Sequence, residues 1–419
     1  MKGFGWLSRI LPGSGSKRKD DSSTTLVIET AERSDEDLAA GADDHLYVDD
    51  PLFDSGYDEF DTLAPFARAT LADLPEFGVG HSTNPDAMTG CTAFVARGDA
   101  ADGAVCGVDV RGGAPATRET DLLRPENMVQ KVNAVLIGGG SAFGLEASCG
   151  AMEALAEAGM GFELGGARVP IVPAACLFDL LVGKPEWPGK DMGREAVDAA
   201  LSFDAAEQSL EEGSVGAGTG ATVDKVGGID SIRKGGFGFF GVSMGELVVM
   251  SFVAVNSLGA VVKDMHGGLL LKLASESMAA AAAAAEDAPG DAAQKGFEDD
   301  ALKGSEDDGP DEPAIDARDE GAAQDGAEQE GLAGEGAPCA NTTLGVVLTN
   351  AKLDKAQATK VSQMTQDAYA RCIVPTHTPN DGDTIFTMAS GKVDSDVTLL
   401  GMLACFSMEK AIHSAMRNA

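Results

Sequence analysis

Residues 286–338 carry 18 acidic and three basic side chains and almost nothing to bury, and they lie well inside a chain of 419 residues. A stretch so long and polar cannot gain enough by burial to offset the entropy of ordering it, so it cannot run through a packed core. Any fold must therefore be assembled from the sequence on both sides of it. Seven consecutive alanines, Ala279–Ala285, lead into it and at most prolong a helix. Residues 1–75 read as a second appendage, rich in Ser, Asp, Glu and Gly and mostly disordered. Residues 1–78 hold 17 acidic and seven basic side chains. These two segments carry most of the net charge of −36. A surface without a basic footprint is not expected to bind nucleic acid.

The segments on either side pattern as one globular unit of mixed class. In residues 76–275, Thr92–Val95 and Ala104–Val110 read as short strands between Gly/Asp turns, and Lys131–Ile137 as a buried strand followed by a helix over Ala142–Ala158. Pro170–Pro173 and Met192–Leu201 repeat strand then helix less clearly, and Gly236–Phe240 and Glu246–Val255 read as two more strands. After the acidic segment come a strand from Thr342 through Leu348, a helix from an Asp354 cap to about Cys372, a strand at Thr384–Ala389 and a helix over about Ser395–Met416. No strict βαβ alternation runs through this order. It predicts a layered α+β fold rather than a doubly wound sheet.

The junction of the acidic segment with the last ordered part is Asn341-Thr342-Thr343, followed at once by Leu344-Gly345-Val346-Val347-Leu348. A bond at the border of a flexible segment is free to rearrange, and the core keeps both products together. If the chain cuts itself there, Thr342 becomes an N-terminus whose own amine can take the proton from its hydroxyl. That nucleophile design needs no histidine, and the chain has five. Asn-x-Thr is also a glycosylation pattern, which has no force without a secretory signal, and Thr-Thr at a strand start is also ordinary β-propensity.

Such a nucleophile needs donors for a tetrahedral oxyanion. Asn256, at the end of the apolar run Val248–Val255, is a candidate, although an Asn there also suits a turn. Two glycine-rich stretches, Gly138–Gly144 and Gly216–Gly220, can bring backbone N–H groups close to a substrate. Gly139, Gly140, Ser141, Gly218 and Thr219 are the substrate-binding candidates. The first stretch fits the dinucleotide fingerprint only by accepting Phe143 at the last glycine, and no ribose-binding acid follows. Asp381-Gly382-Asp383 puts two carboxylates at a turn before a strand, where one can orient the new amine. Most such triplets are only turns, and calcium-loop ligands are absent. His377 reads as structural. No ligand cluster calls for a metal or an organic cofactor.

Seven cysteines (91, 106, 149, 176, 339, 372 and 405) are scattered and odd in number, which fits a reduced, cytoplasmic compartment. No run of about 18 apolar residues suggests a membrane span, and the N-terminal MKGFGWLSRILPG is poor as a signal core.

Seven collinear motifs then carry a resemblance: VGHSTNPDAMTGCTAFVA (79–96), GVDVRGGAPATRETDLL (107–123), VNAVLIGGGSAFGLEA (132–147), GAGTGATVDKVGG (216–228), VAVNSLGAVV (253–262), NTTLGVVLTNAKLDKAQATKVSQM (341–364) and PTHTPNDGDTIFTMASG (375–391). Over about residues 76–275 and 340–419 the chain closely resembles the L-aminopeptidase/D-esterase family, the DmpA-like self-processing enzymes that include β-peptidyl aminopeptidases. The resemblance implies a four-layer αββα sandwich like that of N-terminal-nucleophile hydrolases and ornithine acetyltransferases. It also implies autoproteolysis between Asn341 and Thr342, and a homo-oligomer of processed α/β units.

By the same resemblance Thr342 takes the nucleophile's place, Asn256 the oxyanion donor's and Asp383 that of the family's acid. Asp381 stands where better-studied members have a serine. The stretch matching a carbonyl-polarising tyrosine, Pro170–Asp179, contains none. The expected activity is removal of N-terminal residues from short peptides, amides or esters through an acyl-Thr342 intermediate. Two alternatives stay open: acyl transfer of the ornithine acetyltransferase kind, and a non-catalytic binding protein acting through the acidic insert.

Overall fold

Strands that are apolar on both faces need cover on both faces, and that requirement sets the architecture. The computed structural model describes residues 65–226, 229–262 and 341–419. The expectations for 1–64, for the end of the first catalytic segment (263–275) and for the Ala-rich and acidic insert (276–340) lie outside the described residues.

In chain order the strands are β1 (Phe66–Arg68), β2 (Phe77–Asn84), β3 (Thr89–Ala96), β4 (Ala104–Val110), β5 (Ala116–Arg118), β6 (Lys131–Val132), β7 (Ala134–Gly138), β8 (Ala174–Cys176), β9 (Phe237–Met244), β10 (Leu247–Asn256), β11 (Thr342–Ala351) and β12 (Thr384–Val393). Among the described residues, four helices longer than a single turn accompany them: α1 (Ala147–Glu157), α2 (Lys190–Ser202), α3 (Lys355–Cys372) and α4 (Val397–Arg417). One sheet has the order β1-β9-β10-β11-β12-β4-β6 and the other β2-β3-β7-β8-β5. The centre of the larger sheet joins the two halves of the sequence: β11 lies antiparallel to β10 and parallel to β12.

Side chains divide by the period of two. Along β10, Val248, Met250, Phe252 and Ala254 point between the sheets and meet Phe94 and Val135 of the smaller sheet. Phe94 and Phe252 touch edge to face at 5.2 Å. On the other face, Val249, Val253 and Val255 join Val347 and Ile385 against Val361 of α3 and Leu403 and Ile412 of α4. The outer face of the smaller sheet covers α1 and α2 through Ala93, Leu136, Ala174, Leu155 and Ala196. Three apolar layers between four layers of structure make an αββα sandwich. Small residues dominate the outermost layer, which lets α1 and α2 sit close to their sheet.

Helix starts follow their capping chemistry. Asp354 accepts the Gln357 backbone N–H while the Gln357 side chain returns to Asp354, a reciprocal capping box. Asp396 caps α4 through Leu399 N–H.

Several local expectations shift. Residues 65–75, expected to belong to a mostly disordered extension, are ordered: β1 pairs with β9, and Leu71 and Leu74 are buried. A three-residue strand with one buried side chain leaves little periodicity to read. Lys131–Ile137 is not one strand. It breaks at Asn133, whose side-chain oxygen accepts Ile171 N–H at 3.0 Å, so that Lys131–Val132 pairs in the larger sheet and Ala134–Gly138 in the smaller. The strand expected at Pro170–Pro173 lies just beyond, at Ala174–Cys176, because prolines cannot donate to a ladder. The helix expected over Ala142–Ala158 is a single turn at Ser141–Gly144 and then α1. Among the described residues no helix is long and apolar enough to cross a membrane.

Candidate active site

The antiparallel ladder between β10 and β11 ends with Asn256 opposite Thr342. β11 begins where β10 ends, so the ladder carries the two residues to the same edge of the sheet. From the other side comes the turn before β12, where Asn341 and Asp381 form an isolated parallel bridge. Asn256, Asn341, Thr342, Asp381 and Asp383, far apart in sequence, are thus brought together. Each is at most 3% exposed.

The Thr342 hydroxyl donates to the carbonyl oxygen of Asn341. The Gly382 N–H reaches both atoms, at 3.2 Å from Thr342 Oγ1 and 3.3 Å from the Asn341 oxygen. One backbone donor is therefore aimed at the carbonyl of the bond under question and at the hydroxyl beside it.

Asp383 holds the start of β11. Its Oδ1 accepts Thr343 N–H at 2.7 Å, and its Oδ2 accepts the Thr376 hydroxyl at 3.0 Å and His377 N–H at 3.0 Å. His377 Nδ1 lies 2.9 Å from the same oxygen, so the imidazole orients the acid rather than the hydroxyl. Asp381 accepts Thr378 N–H at 2.8 Å on Oδ2, while its buried Oδ1 has no hydrogen-bond partner. Burial first, and then the neighbouring Asp383, push its carboxyl above the usual range. The loop after β4 supports this turn: Arg111 and Gly112 donate N–H groups to the Asp383 carbonyl and Ala114 to that of Asp381.

The orientation of the Asn256 amide follows from its donors. Thr222 N–H at 2.9 Å and Lys225 Nζ at 3.0 Å can only give protons, so the oxygen faces them. The amide nitrogen then donates to Phe178 O at 3.0 Å. Lys225, only 2% exposed, also reaches Asn256 O at 3.3 Å. Burial lowers its pKa to about 7, against the upward pull of Asp381. The sequence reading missed Lys225 although it lies inside the quoted motif at 216–228. A solitary lysine among Gly, Ala, Thr and Val was the available signal.

The glycine-rich stretches require correction. The N–H groups of Gly139, Gly140 and Ser141 donate to Gly90 O, Asp179 Oδ1 and Leu177 O at 2.9, 2.7 and 2.8 Å. Those of Gly218 and Thr219 donate to Val215 O and Gly216 O at 2.8 and 3.2 Å, and the Thr219 hydroxyl also goes to Gly216 O. All five candidate N–H groups are spent inside the protein. In this structure those N–H groups hold the turns together rather than facing outward.

Known proteins resemble this chain in sequence and in fold. Residues 69–419 match Peptidase family S58. An uncharacterized aminopeptidase of Mycobacterium leprae is 35% identical over 345 residues, covering 78% of this chain and 80% of the relative. A 6-aminohexanoate-oligomer endohydrolase of Kocuria sp. is 26% identical over 336 residues, covering 79% of this chain and 78% of that one. The L-aminopeptidase D-Ala-esterase/amidase of Ochrobactrum anthropi, described as a variant among the Ntn hydrolase fold, has a TM-score of 0.51 at 15% identity, over 82% of this chain and 84% of its own. A beta-aminopeptidase of Burkholderia sp. gives a TM-score of 0.51 at 18% identity with the same coverage. The chain belongs to peptidase family S58, a hydrolase of the aminopeptidase kind on an Ntn-type fold.

Proposed function

We propose that this protein is a self-processing aminopeptidase whose nucleophile is Thr342, exposed as a new N-terminus by cleavage of the Asn341–Thr342 bond. The observation that carries the reading is the Thr342 hydroxyl lying on the Asn341 carbonyl, with the Gly382 N–H directed at both. In the first reaction Thr342 Oγ1 attacks the Asn341 carbonyl carbon. The carbon–nitrogen bond breaks as its nitrogen takes a proton, and the acyl group moves to oxygen. Water then hydrolyses the ester, leaving the Asn341 carboxylate and the Thr342 amine.

Before the cut Thr342 has no free amine, so another group must take the hydroxyl proton. Asp381 and Lys225, whose burial brings their proton affinities toward neutrality, supply that capacity. After the cut, an α-amine with an ordinary pKa of about 7.7–8 can serve as base. In both reactions Asn256 and Gly382 N–H hold the developing oxyanion. Asp383 fixes the first peptide unit of β11 through Thr343 N–H. An incoming peptide, amide or ester acylates Thr342, releases its amine or alcohol, and is freed by water. Since Asn341 fills the space next to Thr342 in the uncut chain and both are buried, processing must precede turnover.

A second reading, an amidase acting within oligoamides, is favoured by the 6-aminohexanoate-oligomer endohydrolase relatives. A homo-oligomer of processed units in a reducing cytoplasm is the expected setting, in keeping with the scattered cysteines. The reading is tested by incubating purified wild-type and Thr342→Ala protein with L-aminoacyl p-nitroanilides and with 6-aminohexanoate oligomers. Release of p-nitroaniline by wild type alone supports aminopeptidase action. Preference for the oligomers moves the assignment to the second reading, and equal rates for the two proteins would sink both.

A further inference from the structure

The two glycine-rich turns converge on one carboxylate. Asp179 is 2% exposed and follows Phe178, the residue whose carbonyl holds the Asn256 amide. Its Oδ1 accepts Gly140 N–H at 2.7 Å, and its Oδ2 accepts the Thr89 hydroxyl at 2.7 Å. These contacts join the ends of three adjacent strands, β3, β7 and β8. A side chain at Gly139 would place its Cβ 1.9 Å from Asp179 Oδ2, and one at Gly220 would place it 2.7 Å from the same oxygen. Gly139 is therefore fixed by the closeness of this carboxylate, and Gly220 by the Asp179 side chain together with the Met88 carbonyl oxygen at 2.2 Å. A buried charge held by two hydrogen bonds costs more than an apolar residue of the same size would, unless the arrangement it enforces is needed.

We propose that Asp179 is a positioning residue for the oxyanion-binding amide: by clamping Gly140 and Thr89 it fixes the Phe178 carbonyl, and through it the plane of the Asn256 side chain. An amide nitrogen carries two donors. With one held on Phe178 O, the direction of the other is set. The inference rests on the reading of Asn256 as oxyanion donor. Asp179 touches neither Thr342 nor Asn341 in any recorded contact, so it acts through the amide and not on the reacting atoms.

The clamp is also sensitive to protons. Burial raises the Asp179 carboxyl to about 6, opposed by the Gly140 and Thr89 hydrogen bonds and by Lys234. Lys234, itself lowered to about 8 by burial, bonds the carbonyls of Gly218 and Gly235, and Cys176 also faces the carboxyl. Below about pH 6 a protonated Asp179 loses an acceptor, while Lys234 stays charged and Cys176 stays a thiol.

The test uses the full chain. In the Thr342→Ala background, which requires no activity, the Asn256 side-chain amide resonances are followed from pH 5 to 8. They are expected to move in two steps, one near 7 from Lys225 on the Asn256 oxygen and one near 6 from Asp179, and only the lower step should vanish when Asp179→Asn is added. In the active protein, Asp179→Ala is expected to lower kcat by about tenfold to a hundredfold with little change in KM. Asp179→Asn, the neutral isostere of the protonated acid, should run at every pH at the lowered kcat that wild type shows below about pH 6, and so lose the acidic limb of the wild-type profile. Asn256 resonances with no step near 6 in the presence of Asp179, or an acidic limb unchanged in Asp179→Asn, would overturn the proposal. A lowered melting temperature with wild-type kcat would do the same, leaving Asp179 merely structural. Moving Asn256 resonances in a wild-type protein without activity would instead uphold the clamp and refute the aminopeptidase reading.

Discussion

Asn256 and Thr342, 86 positions apart in the chain, are direct partners at the end of the β10–β11 ladder. Strand pairing fixes their separation, so this pair inherits its rigidity from the centre of the seven-stranded sheet, and the turn before β12 brings Asp381, Gly382 and Asp383 to it. Replacing Asn256 by Ala removes the amide while β10 retains its backbone pairing. We expect kcat to fall by about a hundredfold to a thousandfold, and the melting temperature to fall as well, since Thr222 N–H and the buried Lys225 lose their acceptor. Steady-state kinetics alongside thermal unfolding checks this. An active Asn256→Ala enzyme would remove Asn256 from the chemistry.

Asp383 receives donors from Thr343, Thr376 and His377. Asp383→Ala leaves those donors buried and unpaired, each costing about 1–3 kcal/mol, and releases the start of β11. Both stability and the rate of chain cutting should fall. His377→Ala removes one partner only and should leave cutting within about tenfold of wild type. Equal losses from the two substitutions would argue that His377 takes part directly.

The lowered pKa of Lys225 makes stability depend on pH in a definite direction. The unfolded chain takes up this proton as pH falls through about 10.4, whereas the folded chain does so only near 7. Between those values the unfolded state binds more protons, so this group lowers stability as pH falls from about 10 to 7 and adds no further change below. Thermal unfolding of Lys225→Met should slope less over that window than wild type. Parallel slopes would show that Lys225 is not buried as described.

Lys355, in the first turn of α3, donates to the carbonyls of Leu122, Asn127 and Val129 at 3.1, 2.8 and 3.0 Å. It ties the segment after Thr342 to a loop of the segment before the cut. Lys355→Met should destabilise the protein by about 3 kcal/mol, visible in the urea midpoint, and leave kcat unaltered. A loss of kcat without loss of stability would contradict this role.

The part of the fold that follows Thr342 was legible in the sequence because each element carries its own local signal: a β-branched strand, the Asp354–Gln357 box and a long amphipathic helix. The earlier part was harder. Asn133 divides one apolar run between two sheets, and no periodicity marks that break. Thr342, Asn256 and Asp383 could be singled out from order and motif, and the structure brings them together; that the N–H groups of the glycine stretches bond within the protein could not, because glycine signals close approach without saying to what. Here one of those close neighbours is Asp179. Its role, like that of Lys225, arises from segments meeting in three dimensions and leaves only a single letter in the sequence.

The central claim is that the chain cuts itself at one bond. Intact-mass measurement and N-terminal sequencing of freshly purified wild-type protein should reveal a C-terminal fragment of about 78 residues beginning at Thr342, whereas Thr342→Ala should remain one chain. A wild-type protein that hydrolyses aminoacyl amides as a single uncut chain, or a fragment beginning at any other residue, would contradict it.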